Sequence, residues 1–269
     1  MQKRFLPVLM LCLLLTGCGG REPPAGLQGT VSTDGSTSMA DVMAVLQEAF
    51  KEQYPGVTVN YSGTGSGAGV EAALSGACDI GLTSRELRPE EAAQGAAAHL
   101  IALDAVAVVV NPCRPLEDLS LERLAGIFTG RITTWDQLGC GEGPIAVYGR
   151  EAGSGTRTAF EDLAGVADRC AYTNIYGSTG DVVGSVASNP NAIGYASLAS
   201  AGEDVRTVKI GGVPCTEDTV RSGDYPLRRP FLMVTRRDAR LGEAASAFLD
   251  FARSGEAAGY LSLAGAIAP

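Results

Sequence analysis

The sequence predicts an α/β fold, and three observations carry that prediction. Segments with the apolar spacing of helices alternate with short extended segments along almost the whole chain, the pattern of layered α/β domains. Two runs, "LIALDAVAVVVN" (100–111) and "RPFLMVTR" (229–236), are apolar nearly throughout, as in strands buried on both faces. Three turns of Gly, Ser and Thr run straight from a strand into a helical pattern.

The first segment is set aside before the fold is read. Lys3 and Arg4 precede an apolar run over 5–15, and Leu15-Thr16-Gly17-Cys18 follows. This is the make-up of a secretory signal, too short for a spanning helix. Its end resembles the lipobox of bacterial lipoproteins, in which Cys18 would be lipidated and begin the mature chain. Residues 1–17 are thus expected to be removed, and 18–27 to form a lipid anchor and flexible tether.

In the remainder, "GTVSTDG" gives a strand and turn, and Met39, Val42, Met43, Leu46 and Phe50 follow helical spacing. Pro55-Gly56 stops that helix, and "VTVNYSG" alternates like a strand. Val70, Ala73, Leu74 and Ala77 mark a short helix, and "CDIGLTS" a strand leading to a loop. Pro89 with Glu90 and Glu91 opens another helix with a favourable first turn. After the buried run at 100–111 the pattern repeats. Ser120 caps a helix carrying Leu121, Leu124, Ile127 and Phe128. "PIAVYGR" is a strand, 156–163 a helix, "DVVGSVASN" a helix ended by Asn189-Pro190, and "AIGYAS" a strand. The run at 229–236 and a final amphipathic helix over 243–255 complete the chain.

A formal net charge of -9, made more negative by loss of Lys3 and Arg4, argues against nucleic-acid binding. It says little about a small site, because screening confines exposed charges to about 8–10 Å. Of seven cysteines, Cys12 leaves with the signal and Cys18 would carry lipid. The other five lack metal-ligand spacing such as C-x-x-C. Outside the membrane some should pair. Several connectivities are open, and the expected one is Cys113–Cys140 with Cys170–Cys215, leaving Cys78 as a small buried residue.

The three turns are "DGSTSMADVM" (34–43), "GTGSGAGVEAAL" (63–74) and "GREAGSGT" (149–156). Each could be simple capping. A helix N-terminus, however, presents free N–H groups and partial positive charge, and glycine lets an anion come close. Ser and Thr hydroxyls add donors that also accept. In the third turn Arg150 stands at the end of a strand, and a guanidinium can grip a tetrahedral oxyanion with two parallel bonds. Arg150, Ser154, Gly155 and Thr156 therefore point to an oxyanion cradle.

At this stage the chain resembles the phosphate-binding proteins of bacterial high-affinity phosphate ABC transporters. The resemblance covers nearly all of the mature chain. It rests on "GSTSM" (35–39), "GTGSGAG" (63–69), "DIGLTSREL" (79–87), "IALDAVAVVVNP" (101–112), "FTGRITTW" (128–135), "GREAGSGTRTAF" (149–160), "NPNAIGY" (189–195) and "YPLRRP" (225–230) in that order. It implies a two-lobed, type II periplasmic-binding-protein fold with a hinge of two crossing segments. The first crossing would fall near 104–111 and the return near 229–234. Lobe one would hold residues 28–104 and 231–269, and lobe two residues 105–230. The resemblance also implies capture of inorganic phosphate between the lobes by hydrogen bonds alone, and delivery to a membrane permease. The chain would be a lipid-anchored monomer at the cell membrane, facing the extracytoplasmic side, with no cofactor or metal.

The family's phosphate ligands fall on Ser36, Thr37 and Ser38, on Ser66, on Ser84 and its neighbour Arg85, and on Arg150, Ser154, Gly155 and Thr156. One departure matters. In the best-known branch the residue after the loop serine is an aspartate that accepts a proton from hydrogen phosphate and so rejects sulfate. Here it is Arg85, as in a branch with Ser-Arg at this loop, and an aspartate that pairs with the site arginine is replaced by Ala152. Asp104, near the expected hinge, is the candidate acceptor, with a buried pairing to Arg85 or Arg150 as its other expected role.

Rival functions remain at this stage. An enzyme would need a catalytic set, yet the single histidine, His99, lies beside an apolar strand and reads as a core residue. "AGSGT" lacks the outer glycine of a G-x-S-x-G elbow, and no Walker lysine follows "GTGSGAG". The other rivals are a receptor for sulfate, molybdate or tungstate, and an anchored signalling protein that kept the fold.

Overall fold

A computed structural model describes residues 26–269. The expected signal segment and Cys18 lie outside the described residues. Strand β1 (Gly29–Gly35) leads through a 3-10 turn (Thr37–Met39) into helix α1 (Ala40–Gln53). Then come β2 (Val57–Ser62), α2 (Ser66–Ser75), β3 (Ile80–Thr83), the short α3 (Pro89–Ala93) and the long β4 (Ala96–Val110). Next are β5 (Asp118–Leu119), α4 (Leu121–Phe128), β6 (Ala146–Arg150), α5 (Gly155–Leu163), β7 (Asn174–Tyr176) and α6 (Thr179–Ser188). The chain continues through β8 (Ala192–Ser197), β9 (Arg206–Ile210), α7 (Glu217–Ser222), β10 (Arg228–Arg236), α8 (Glu243–Ala252) and α9 (Ala257–Leu263).

Local chemistry accounts for these boundaries. Helix α1 buries Val42, Met43, Leu46 and Phe50, one apolar stripe. The Ser120 hydroxyl accepts from the Arg123 amide and caps α4. Helix α6 stops at Asn189, held extended (φ -123, ψ 110) because Pro190 crowds the helical region of the residue before it.

Strand order runs β2-β1-β3-β10-β4-β8-β6-β7. Strands β1, β2 and β3 are mutually parallel, and β10 runs antiparallel between β3 and β4. Strand β4 belongs to both halves of this path. Up to Ala105 it pairs with β10, and from Val106 it pairs with β8 and β9. Val106–Val110 is sealed from solvent on every side, which explains the continuous apolar run. Strands β6 and β7 extend the second half in parallel beyond β8.

Among the described residues two large apolar cores follow, with a small third one of Val70, Ala73, Cys78, Ala96 and Val234. One gathers Val31, Leu46, Phe50, Phe231 and Phe248. The other gathers Val108, Phe128, Trp135, Phe160 and Tyr195. The chain passes from the first core to the second between Ala102 and Ala105, and back between Leu227 and Phe231. A third tie lies at the C-terminus, where Ile267 pairs with Leu103 and joins the second core.

The chain returns between Leu227 and Phe231, overlapping the expected 229–234: the Val106 amide donates to the Leu227 carbonyl, and β10 carries a bulge at Phe231/Leu232. The structure revises two expectations. The cysteine pairs Cys113–Cys140 and Cys170–Cys215 are not formed. All five cysteines of the described residues are free, and the Cys140 thiol donates to the Pro115 and Leu138 carbonyls. Finally, β7, β9, α7 and α9 are additional elements, too short or too polar to show a period in the sequence.

Gly69 illustrates how tightly the first half is packed. A Cβ there would lie 2.5 Å from the Gly35 Cα and closer still to the Asp34 carbonyl. Gly69→Ala is expected to cost about 1–3 kcal/mol through overpacking, lowering the melting temperature by several degrees in calorimetry.

Candidate functional site

Five turns, each following the C-terminal end of a parallel strand, converge where the two cores face each other. They are 36–38 after β1, Ser66 after β2, Ser84 after β3, 150–156 after β6, and Thr179 after β7. In open α/β sheets this edge is the ligand-binding one. Helices α2, α5 and α6 start here, which brings three positive helix ends to the same region.

Hydroxyls meet across the cleft. The Ser38 Oγ lies 2.5 Å from the Thr156 Oγ1 and 3.0 Å from the Thr179 Oγ1. Thr37 lies 3.4 Å from Thr179. Within the first wall, the Ser36 hydroxyl donates to Ser84 at 2.9 Å, and the Ser84 amide donates to Ser66 at 3.2 Å. A backbone bond also crosses, from the Gly67 amide to the Gly153 carbonyl at 3.0 Å. The walls are therefore shut on one another. Gly155 makes this approach possible, because a Cβ there would lie 2.7 Å from the Ser66 Cβ and 2.8 Å from the Ser84 Oγ.

Among the described residues Arg150 is the only cation in this cluster, and it is 1 % exposed. Its Nε donates to the Tyr176 carbonyl at 3.1 Å, its Nη2 to the Gly177 carbonyl at 2.7 Å and its Nη1 to the Thr179 hydroxyl at 2.9 Å. Three of five N–H donors are thus engaged, leaving one on each Nη. Among the described residues no carboxylate pairs with it. Burial lowers its pKa from the ordinary arginine value, the mark of a cation short of a counter-charge. The backbone is fixed too: the Arg150 amide donates to the Tyr195 hydroxyl at 3.1 Å, and Tyr195 stacks on Phe160. Arg157, paired with Glu161, donates to the Arg150 carbonyl.

The structure brings together Ser36, Thr37, Ser38, Ser66, Ser84, Arg150, Gly155 and Thr156. Ser154 lies at the same turn with its oxygen committed to capping α5, accepting from the Arg157 amide. Two expected members lie elsewhere. The Arg85 fork turns away to Glu91, at 2.6 and 2.8 Å, because that carboxylate also accepts the Arg88 amide at the start of α3. Asp104 is fully buried, with its Oδ2 on the Arg229 Nε at 2.8 Å and its Oδ1 accepting from the Ser197 hydroxyl and Ala199 amide. Its partner is neither Arg85 nor Arg150, and it has no contact with the cluster. Sequence reasoning missed Thr179, the hydroxyl shared by Arg150, Ser38 and Thr37. The signal was present in "YGSTGDVVG", a fourth Gly/Ser/Thr turn opening a helix. None of the hydrogen bonds made by the clustered hydroxyls or by the Arg150 side chain reaches a carboxylate.

His99 bonds to the Thr235 hydroxyl and has no Ser or acid partner, and burial lowers its pKa. Among the described residues no group of three or more His, Cys, Asp or Glu could hold a metal ion, and no helix is long and apolar enough to cross a membrane.

A family model described as a PBP superfamily domain matches residues 20–256. Phosphate-binding protein PstS of Bacillus subtilis is 30% identical over 229 residues, 84% of this chain and 76% of that protein. Phosphate-binding protein PstS 2 of Streptococcus pneumoniae is 43% identical over 112 residues, 42% of this chain, and there the chain spans only 38% of that relative's length. A solved structure described as a proposed phosphate ABC transporter substrate-binding protein with bound phosphate, from Clostridium perfringens, is 37% identical with a TM-score of 0.87, covering 90% of this chain and 100% of that one. An ABC-type phosphate transport receptor from Vibrio cholerae is 34% identical with a TM-score of 0.74, covering 89% of this chain and 100% of that one.

Two outcomes are expected from this geometry. Asp104→Asn leaves the Arg229 charge buried without its counter-ion and should cost about 3–5 kcal/mol in denaturant unfolding. Gly155→Ala should prop the walls apart, seen in solution scattering as a larger radius of gyration that added anions fail to reduce.

Proposed function

The chain belongs to the PBP superfamily and, within it, to the phosphate-binding proteins, and on that premise we propose that it captures inorganic phosphate outside the membrane and delivers it to an ABC transporter permease. The observation that carries this reading is Arg150, a guanidinium buried without a carboxylate, with two uncommitted N–H donors beside a ring of hydroxyls and helix N-termini. Such a group calls for an anion, and the short reach of Ser, Thr and backbone donors limits that anion to a small tetrahedral one.

On this reading, residues 28–104 with 231–269 form lobe one and 105–230 form lobe two. Thr37, Ser38, Ser66 and Ser84 hold the anion on lobe one, and Arg150, Gly155, Thr156 and Thr179 on lobe two. Ser36 supports Ser84, and Ser154 holds the start of α5. Closure is favoured because the anion gains the second lobe's donors only in the shut state. No bond is made or broken, so the protein is a receptor and not an enzyme. Cys18 carries the lipid that keeps the monomeric receptor at the cell membrane, facing the extracytoplasmic side, and the shut form docks on the permease.

The lack of a carboxylate in the cluster favours a second reading of its selectivity. A proton acceptor is what separates hydrogen phosphate from a fully ionised anion, and with hydroxyls alone the site admits sulfate or molybdate as well. Titration calorimetry decides both points. Phosphate should bind tightly, and Arg150→Lys or Thr179→Val should each weaken it about ten- to a hundredfold, as expected for loss of a charge-assisted hydrogen bond. Unchanged affinity in both variants would remove the cradle from phosphate capture. Sulfate affinity equal to that of phosphate would make the protein a general oxyanion receptor.

A further inference from the structure

Among the described residues, four buried side-chain atoms lack a hydrogen-bond partner, and three of them belong to two arginines: the Arg85 Nε and the Arg229 Nη1 and Nη2. Both arginines line one cavity of about 630 Å³. Its walls are the segment after β3 (85–89), the later part of α5 with the loop beyond it (158–168), and the start of β10 (228–230). Both sides of the cleft and the crossing therefore contribute.

Each arginine is held in place but incompletely satisfied. Arg85 is 4 % exposed and commits both Nη groups to Glu91 and to the Glu86 carbonyl. Arg229 is 3 % exposed and commits its Nε to Asp104. Buried guanidinium N–H groups without acceptors are rare because they have lost water and gained nothing. The Arg229 fork also lies over the Phe231 ring, a weaker partner than an oxygen. Arg88 and Arg228 stand exposed at the rim of the same cavity. Of the acids on the facing wall, Glu161 is engaged by Arg157 and Tyr172, while Asp162 and Asp168 are exposed to solvent.

The cavity adjoins the cluster of hydroxyls. Ser84 belongs to that cluster and Arg85 to the cavity, while on the facing wall Thr156 belongs to the cluster and Thr158 to the cavity. We infer that the cavity is a second anion site: Arg88 and Arg228 draw a small oxyanion from solvent, and as the walls part it accepts from the Arg85 Nε and the Arg229 Nη groups, which are sealed from water in the shut form. It serves as a vestibule: an anion held there is one residue away from the cradle along one wall and two along the other when the walls part. The identity of that anion as phosphate rests on the function proposed above.

Calorimetric titration of the full chain with inorganic phosphate, continued to high millimolar concentration, tests this. The expected isotherm has a tight event and a separate weak one. The double variant Arg85→Ala/Glu91→Gln removes one donor without stranding a carboxylate and should weaken the second event about tenfold while sparing the first. Arg229→Lys, which can keep its pairing with Asp104, should do the same, so a folding defect in one variant leaves the other to decide. Thr156→Ala should weaken the first event and spare the second. A single event throughout, or a weak event that neither arginine variant alters, would overturn the second site. Loss of the tight event in the unaltered chain, with the weak event retained, would instead overturn the phosphate reading of the cradle and uphold the cavity.

Discussion

Everything around the cleft is organised by one constraint, a guanidinium taken out of water without a carboxylate to meet it. Burying a cation is costly unless its donors are satisfied. Here satisfaction comes from the carbonyls of Tyr176 and Gly177 and the hydroxyl of Thr179. That requirement brings the turn after β7 beside the end of β6, which the parallel pairing of those strands supplies. It also explains the aromatic scaffold behind Arg150, since Tyr195, Phe160 and Phe128 form a rigid wall that keeps the arginine backbone from shifting. What dipoles cannot neutralise is left as positive potential at three helix starts, and so the need for an anion is built into the fold.

A second ion pair does the opposite kind of work. Asp104 and Arg229 sit on the two strands that pass between the cores, paired with each other in the β4–β10 register. Asp104 also accepts from Ser197 and Ala199 at the far end of β8. One carboxylate therefore joins both crossing strands to the second half of the sheet. Burial lowers the Arg229 pKa, while Asp104 opposes that effect. Placed at the crossing, the pair gives the hinge a defined register, and it leaves Arg150 as the charge among the clustered hydroxyls.

Much of the fold was legible in the sequence because its signals are local. The apolar run at 100–111 announced a doubly buried strand, Ser120 a cap, and Asn189-Pro190 a helix end. The hydroxyl turns were legible for the same reason, since a Gly/Ser/Thr stretch before a helix is a local pattern. What escaped depended on long-range packing. Arg85 looked like a ligand from its neighbour Ser84, but its direction is decided by Glu91, six residues on and part of another helix start. Asp104 looked like an acceptor for the cleft, yet its partner Arg229 lies on a strand far along the chain. Thr179 escaped although its turn has the same composition as the others, because nothing local says that this turn faces Arg150.

The position of β10 in the sheet has a consequence for how the molecule is made. Strand β3 and the first half of β4 do not touch through a ladder of their own; β10, near the end of the chain, is inserted between them. A chain emerging N-terminus first must therefore hold two open strand edges, one of them highly apolar, until nearly all of it has been delivered. The second core, with β8 and β9 both nearer in sequence to β4, can condense earlier. Biogenesis thus favours an order in which the middle of the polypeptide consolidates first and the two ends are joined last, with shielding of the exposed edges by a chaperone most useful in that interval.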